Sequence, residues 1–217
     1  YYRFCSEYGF ESLPDIKTCR AFADETKGDF DLCSPVMEAH QKCVQGNEKI
    51  MYYLAQMVRY PYDFKQLIYS SQLVQADCIR SNVEHMRRAR GRCMGSAYWQ
   101  VNDSNPVISW SSIDYFGRWK GLHYYAKRFY APCLISCDDT DRKKPVLNIS
   151  NERMTAFEGI VKWTLRNNKA EILQSGEKSV SVPPLTAQNV LTIDLSDELK
   201  NRTDPREKYP VSYTHLR

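Results

Sequence analysis

The spacing of hydrophobic positions changes once along this chain, near residue 132. Before that point apolar residues recur at helical intervals. Leu67, Ser71, Val74 and Cys78 lie on one stripe and predict a long helix over 64–89 with Asp63 as its N-cap. A shorter helix is predicted over 48–60, capped by Asn47 and stopped by Pro61. Ser12 as cap and Pro14 in the first turn predict another, reaching about residue 23 with Ile16, Cys19 and Ala23 on its buried face, and Ser34-Pro35 opens a short one. Two strand-like runs interrupt the helices, at 4–7 and 93–99. The second, Cys-Met-Gly-Ser-Ala-Tyr-Trp, has the unalternating texture of a strand buried on both faces. Strand, helices, strand, helix is the order of consecutive βα units in a parallel sheet. Two parallel strands cannot close a barrel or cover their own edges, so the chain is expected to be a piece of something longer.

Beyond Pro132 short strands are predicted at 133–137, 146–149, 158–165, 180–182 and 190–195, separated by turns rich in Asp, Asn, Gly and Pro. That is the pattern of a β-sandwich, with Trp163 alternating into its core. The expected fold class is therefore α/β plus all-β. Residues 1–131 form one domain and 132–210 a second. The last seven residues, 211–217, read as the translation of a sequencing adapter and are expected to be a non-native tail without fold or function.

Composition narrows the function classes. Thirty basic against 26 acidic residues leave a net charge of +4, too balanced for a nucleic-acid partner. The cluster Arg87, Arg88, Arg90 and Arg92 is expected to be a solvated helix end. No run is apolar and long enough to cross a membrane. The eight cysteines form no CxxC pair, and several sit among apolar residues, which favours reduced thiols and a cytoplasmic protein. Cys33, His40 and Cys43 lack the spacing of metal ligands, and no nucleotide motif occurs, so no cofactor is expected.

The chemistry concentrates where the second strand ends. Trp99 is followed by Gln100, Asn102 and Asp103, then by Trp110 and Trp119 amid several tyrosines. Flat rings beside amides and carboxylates suit a sugar, which offers an apolar face and a rim of hydroxyls. Trp99 as a packed core residue is the competing reading. Three stretches carry a family resemblance: Ser6-Glu7-Tyr8-Gly9-Phe10; Ser34-Pro35-Val36-Met37-Glu38 with Gly46-Asn47-Glu48-Lys49-Ile50; and above all Tyr98-Trp99-Gln100-Val101-Asn102-Asp103 through Ser109-Trp110-Ser111-Ser112-Ile113-Asp114-Tyr115-Phe116-Gly117-Arg118-Trp119-Lys120. Together they resemble the β-mannosidases of glycoside hydrolase family two, closely over 1–132 and more loosely beyond.

The resemblance implies the C-terminal portion of a (β/α)8 TIM barrel, its seventh strand at 4–7 and its eighth at 93–99, followed by an immunoglobulin-like sandwich. It implies retaining hydrolysis of terminal β-mannosides, with Glu7 as the nucleophile, Trp99 as a sugar platform, and Asn102 and Asp103 binding hydroxyls or bracing the loop. The substrate would be an oligosaccharide or other glycoside, and a homodimer of the parent protein is one option. The family's acid/base glutamate follows an asparagine on the fourth barrel strand, which this chain lacks, so the chain alone is expected to be inactive. Where the family commonly has Trp-Pro, Asn105-Pro106 stands here, which puts the sugar preference in question. A galactosidase, glucuronidase or glucosaminidase of the same family, or a non-catalytic carbohydrate-binding module, are the alternatives.

Overall fold

Residues Cys5–Tyr8 (β1) and Ser96–Tyr98 (β2) pair in parallel, with Cys5 opposite Ser96 and Tyr8 opposite Tyr98. This computed structural model describes residues 2–200 and the backbone of a strand at Lys208–Leu216. β2 is shorter than the expected run because its first residues belong to the preceding helix end and to the N-terminal segment: the Cys93 N–H donates to Ala89 O at 2.9 Å and the Met94 N–H to Arg3 O at 2.8 Å.

The helices between the strands mostly follow the apolar period. α1 is confined to Ile16–Cys19 and is capped by Asp15, not Ser12, whose hydroxyl donates to Gln75 Oε1 at 2.7 Å. α2 spans Pro35–Ala39, with Ser34 Oγ accepting the Met37 N–H as expected. α3 spans Gly46–Met57 and has no side-chain cap. Asn47, expected to cap it, lies inside the helix and is buried, its amide donating to Leu32 O and Glu38 Oε1. α4 spans Phe64–Arg88, and Asp63 Oδ1 accepts the Gln66 N–H at 2.7 Å, the cap the sequence predicts. α5 spans Gly121–Phe129 and presents Leu122, Ala126 and Phe129, at helical spacing, to Ala76, Ile79 and Val83 of α4.

Beyond α5 all pairing is antiparallel. Cys133–Asp138 (β3), Val146–Asn151 (β4) and Thr186–Thr192 (β7) form one sheet in the order β3-β4-β7. Phe157–Asn167 (β5), Ile172–Val182 (β6) and Lys208–Leu216 (β8) form the other, in the order β6-β5-β8. Leu147, Ile149, Phe157, Val161, Leu165 and Val182 fill the core, and Trp163 packs against it. β6 runs eight residues further back than its predicted start at 180, as the long partner of β5. Ile172 and Leu173 open it but are exposed, and the stretch from Gln174 to Ser179 carries no apolar side chain, so no apolar alternation marked it. The expected foldless tail is corrected here. Backbone through Leu216 lies in β8, paired along β5 from Asn167 opposite Lys208 to Gly159 opposite Leu216.

The chain divides into two compact units, one of residues 4–83 with 95–129 and one of 1–3, 84–94 and 130–217. The arginine-rich end of α4 therefore goes with the sandwich, and it is not a solvated helix end. Arg87 is buried, donates to Ala131 O at 2.8 Å and pairs with Glu152 at 3.3 Å, while Arg90 donates to Leu185 O at 2.7 Å. Burial lowers the Arg87 pKa and Glu152 opposes that shift.

Candidate functional site

The parallel pair brings two of the four expected residues to one place. Glu7 is exposed on β1, one residue before Tyr8. The Trp99 N–H donates to Tyr8 O at 2.7 Å, so the ring-bearing residue leaves β2 directly beside the carboxylate-bearing end of β1. Trp99 is 46% exposed. The Trp99–Gln100 peptide is cis. Gly9 explains the close approach: a Cβ there would lie 2.5 Å from Trp99 O and 2.8 Å from Trp110 Cδ1.

Asn102 and Asp103 part company. Asn102 is exposed and its backbone bridges to Ile113. Asp103 is 6% exposed and its oxygens are engaged: Oδ1 accepts from Ser109 Oγ at 2.7 Å and Gln100 Nε2 at 3.2 Å, and Oδ2 from Ser111 Oγ at 2.6 Å. Of the two roles expected for it, these contacts are those of a loop brace.

Below the surface lies a polar layer that joins the loops after β1 and β2. Ser12 and Ser109 bridge through both backbone N–H groups, at 3.0 and 3.4 Å. Gln75 of α4 donates to Phe10 O at 2.9 Å and Trp110 O at 3.1 Å while accepting from Ser12 Oγ. Lys120 is 1% exposed, and its Nζ donates to Ser12 O at 3.1 Å and Ser109 O at 3.0 Å. Burial lowers its pKa to about 8, opposed by Asp103, Glu11 and Asp114. Glu11 is 5% exposed and lies against the first residue of α3, where a Cβ on Gly46 would come within 2.5 Å of its Oε2. Its Oε1 has no hydrogen-bond partner among the described residues. Desolvation raises its pKa to about 7, opposed by Lys120 and Lys49. A third carboxylate, Asp114, accepts from Thr18 Oγ1 and from the Phe116 and Arg118 N–H groups.

Sequence reading missed Glu11, Gln75 and Lys120 as parts of this site. The serine run 109–112 was the available signal, since clustered hydroxyls beside an aspartate demand buried partners. His40 stacks on Phe22 with centroids 4.0 Å apart and meets Pro106 O through Nδ1. His123 meets Ser112 Oγ at 3.2 Å and packs on the Trp119 ring with centroids 4.4 Å apart.

Likenesses to known proteins bear on this arrangement. Residues 144–215 match the family described as Mannosidase Ig/CBM-like domain. The β-mannosidase of Capra hircus is 34% identical over 153 residues, 64% of this chain and 17% of that protein. The β-D-mannosidase structure from Dictyoglomus thermophilum superposes with a TM-score of 0.89 at 25% identity, covering 99% of this chain and 26% of that one. The exo-chitosanase CsxA of Amycolatopsis orientalis, at 19% identity and a TM-score of 0.75 over 98% of this chain and 27% of that one, shares the fold.

These likenesses set a class of fold: the chain resembles part of a β-D-mannosidase structure, and residues 144–215 match a Mannosidase Ig/CBM-like domain. In sequence it is similar to β-mannosidases, at 34% identity over 64% of its length. It spans about a sixth to a quarter of the length of the relatives it matches.

Proposed function

We propose that this chain is the C-terminal part of the catalytic barrel of a retaining exo-β-mannosidase, joined to the sandwich that follows it, and that Glu7 is the nucleophile. The observation that carries the reading is the Trp99 N–H bond to Tyr8 O, which sets a half-exposed indole beside the strand end that presents Glu7. β1 and β2 are the seventh and eighth strands of the barrel in this reading.

In the reaction the Glu7 carboxylate attacks the anomeric carbon, the bond to the leaving oxygen breaks, and a glycosyl ester forms on Glu7. A second carboxyl group, about 5–5.5 Å away, protonates the leaving oxygen and then deprotonates the water that releases the sugar. That group comes from upstream of this chain, which alone does not turn over. Trp99 stacks on the apolar face of the mannosyl ring, Asn102 reaches its hydroxyls, and Asp103 holds the loop that carries both.

The test uses the gene with its upstream sequence restored from genomic DNA, assayed on aryl β-mannoside, β-galactoside and β-glucuronide. Hydrolysis of the mannoside above the others, with Glu7→Gln reduced by about 10⁴-fold or more, is expected on the scale of losing a covalent nucleophile. Preference for another sugar keeps the mechanism and moves the substrate to a sibling glycosidase. A Glu7→Gln enzyme as active as wild type removes Glu7 from the chemistry.

A further inference from the structure

Lys120 has a chemistry that packing alone does not demand. Its ammonium is as deeply buried as any apolar core residue, yet both of its hydrogen bonds go to neutral carbonyls, Ser12 O and Ser109 O. Those carbonyls already accept from each other's backbone N–H groups, one bond at 3.0 Å and the other a loose 3.4 Å. The ammonium takes the remaining lone pairs and closes the bridge from below. Burying a charge is costly, so this ammonium has to be offset by the groups around it.

We propose that Lys120 is a positioning residue for glycoside hydrolysis: its ammonium clamps the Ser12–Ser109 bridge and thereby fixes Glu7 against the Trp99 platform.

The connection is contiguous and short. Ser12 lies five residues beyond Glu7 on the loop leaving β1. Ser109 precedes Trp110, whose carbonyl accepts the Gln100 N–H at 3.3 Å and whose ring lies against Gly9. Gln100 follows Trp99, which is itself tied to Tyr8. Every link between the clamp and the two site residues is therefore a backbone bond or one hydrogen bond away from the next. Asp103 stiffens the same ring of contacts by accepting from the Ser109 and Ser111 hydroxyls.

The groups facing Lys120 are Asp103, Glu11, Asp114 and the Cys19 thiol, drawn from the loops after both strands and from α1. The carboxylates stabilise the ammonium against a burial that holds its pKa to about 8. Losing that proton leaves one N–H for each carbonyl but removes the charge that strengthens both bonds and that Asp103, Glu11 and Asp114 hold in place. The clamp then loosens at mildly alkaline pH, and Glu7 is held less firmly in its attack geometry. This inference rests on the proposed role of Glu7.

The experiment compares wild type, Glu7→Gln, Lys120→Met and Lys120→Arg in the enzyme with its upstream sequence restored, measuring kcat and KM on aryl β-mannoside across pH. Lys120→Met, which keeps the stem and drops the charge, is expected to lower kcat by roughly ten- to a hundredfold with KM little changed, the scale of a small misplacement of reacting groups. Wild-type kcat is expected to fall as pH rises through about 8. Lys120→Arg, whose cation does not titrate there, is expected to keep kcat within several-fold and to move that fall to higher pH. If Lys120→Met does not fold, the Lys120→Arg profile decides alone. A folded Lys120→Met enzyme with wild-type kcat overturns the inference, as does an alkaline fall that Lys120→Arg leaves in place. Absence of any Glu7-dependent hydrolysis overturns the proposed function and this inference with it; Glu7-dependent hydrolysis indifferent to Lys120 overturns this inference alone.

Discussion

Single residues decide how closely the two strand ends can approach. Gly9 is the sharpest case, because the backbone oxygen of Trp99, a group that cannot swing aside, occupies the space of its missing side chain at 2.5 Å. Gly9→Ala is expected to destabilise the chain by about 1–3 kcal/mol, as over-packing does, and in the restored enzyme to lower kcat by displacing Trp99. Urea unfolding followed by tryptophan fluorescence measures the first effect, and a variant as stable as wild type would show that Trp99 relaxes freely. At the same scale the sequence disclosed residue types more readily than their neighbours. Glu7 and Trp99 stood out through the motifs around them. Glu11 and Lys120 did not, since nothing in their spacing says that each is buried and that they face one another across two loops.

At the scale of elements, legibility followed local chemistry. α4 was readable over nearly its full length because its cap, its stripe and its length agree. α1 was overdrawn because Ser12, a good capping residue in isolation, is claimed by Gln75 and Ser109 from distant parts of the chain. β6 was underdrawn because its stability comes from pairing, not from its own apolar content. Gly176 shows what that pairing involves: it lies opposite Trp163, and a Cβ there would meet the indole at 2.7 Å. Gly176→Val is therefore expected to lower the sandwich's melting temperature despite valine's higher strand propensity, by pushing Trp163 off the core edge. A variant that melts higher than wild type would mean that strand propensity outweighs the indole's packing. The cap of α4 offers a complementary case. Asp63→Ala removes a 2.7 Å bond to the Gln66 N–H and is expected to cost about 1 kcal/mol, readable in the same unfolding assay.

For the whole molecule, the buried pair of Glu11 and Lys120 gives unfolding a pH dependence of unusual sign. Glu11 titrates at about 7 in the folded chain against an ordinary 4.5, so between those values the folded state binds more protons than the unfolded one. Stability contributed by Glu11 is accordingly lost as pH rises from 4.5 towards 7, the reverse of a salt-bridged carboxylate. Lys120 titrates at about 8 against an ordinary 10.5, so there the unfolded state binds more protons, and its contribution recovers as pH rises from 8 towards 10.5. The two together place a valley of stability between about 7 and 8, where Glu11 is charged and Lys120 has not yet shed its proton. Raised thiols, Cys19 at about 12 and Cys137 at about 11 against an ordinary 9.0, act in the opposite direction to Lys120 at the alkaline end. The difference between variant and wild type isolates the carboxyl group from them. Relative to wild type, Glu11→Gln is expected to gain stability steadily between pH 4.5 and 7 and then level off. At ~1.4 kcal/mol per pKa unit that gain is capped at about 3 kcal/mol. Urea denaturation at a series of pH values measures it directly. A flat difference would mean that Glu11 titrates alike folded and unfolded, and that water reaches its carboxyl group between the two loops.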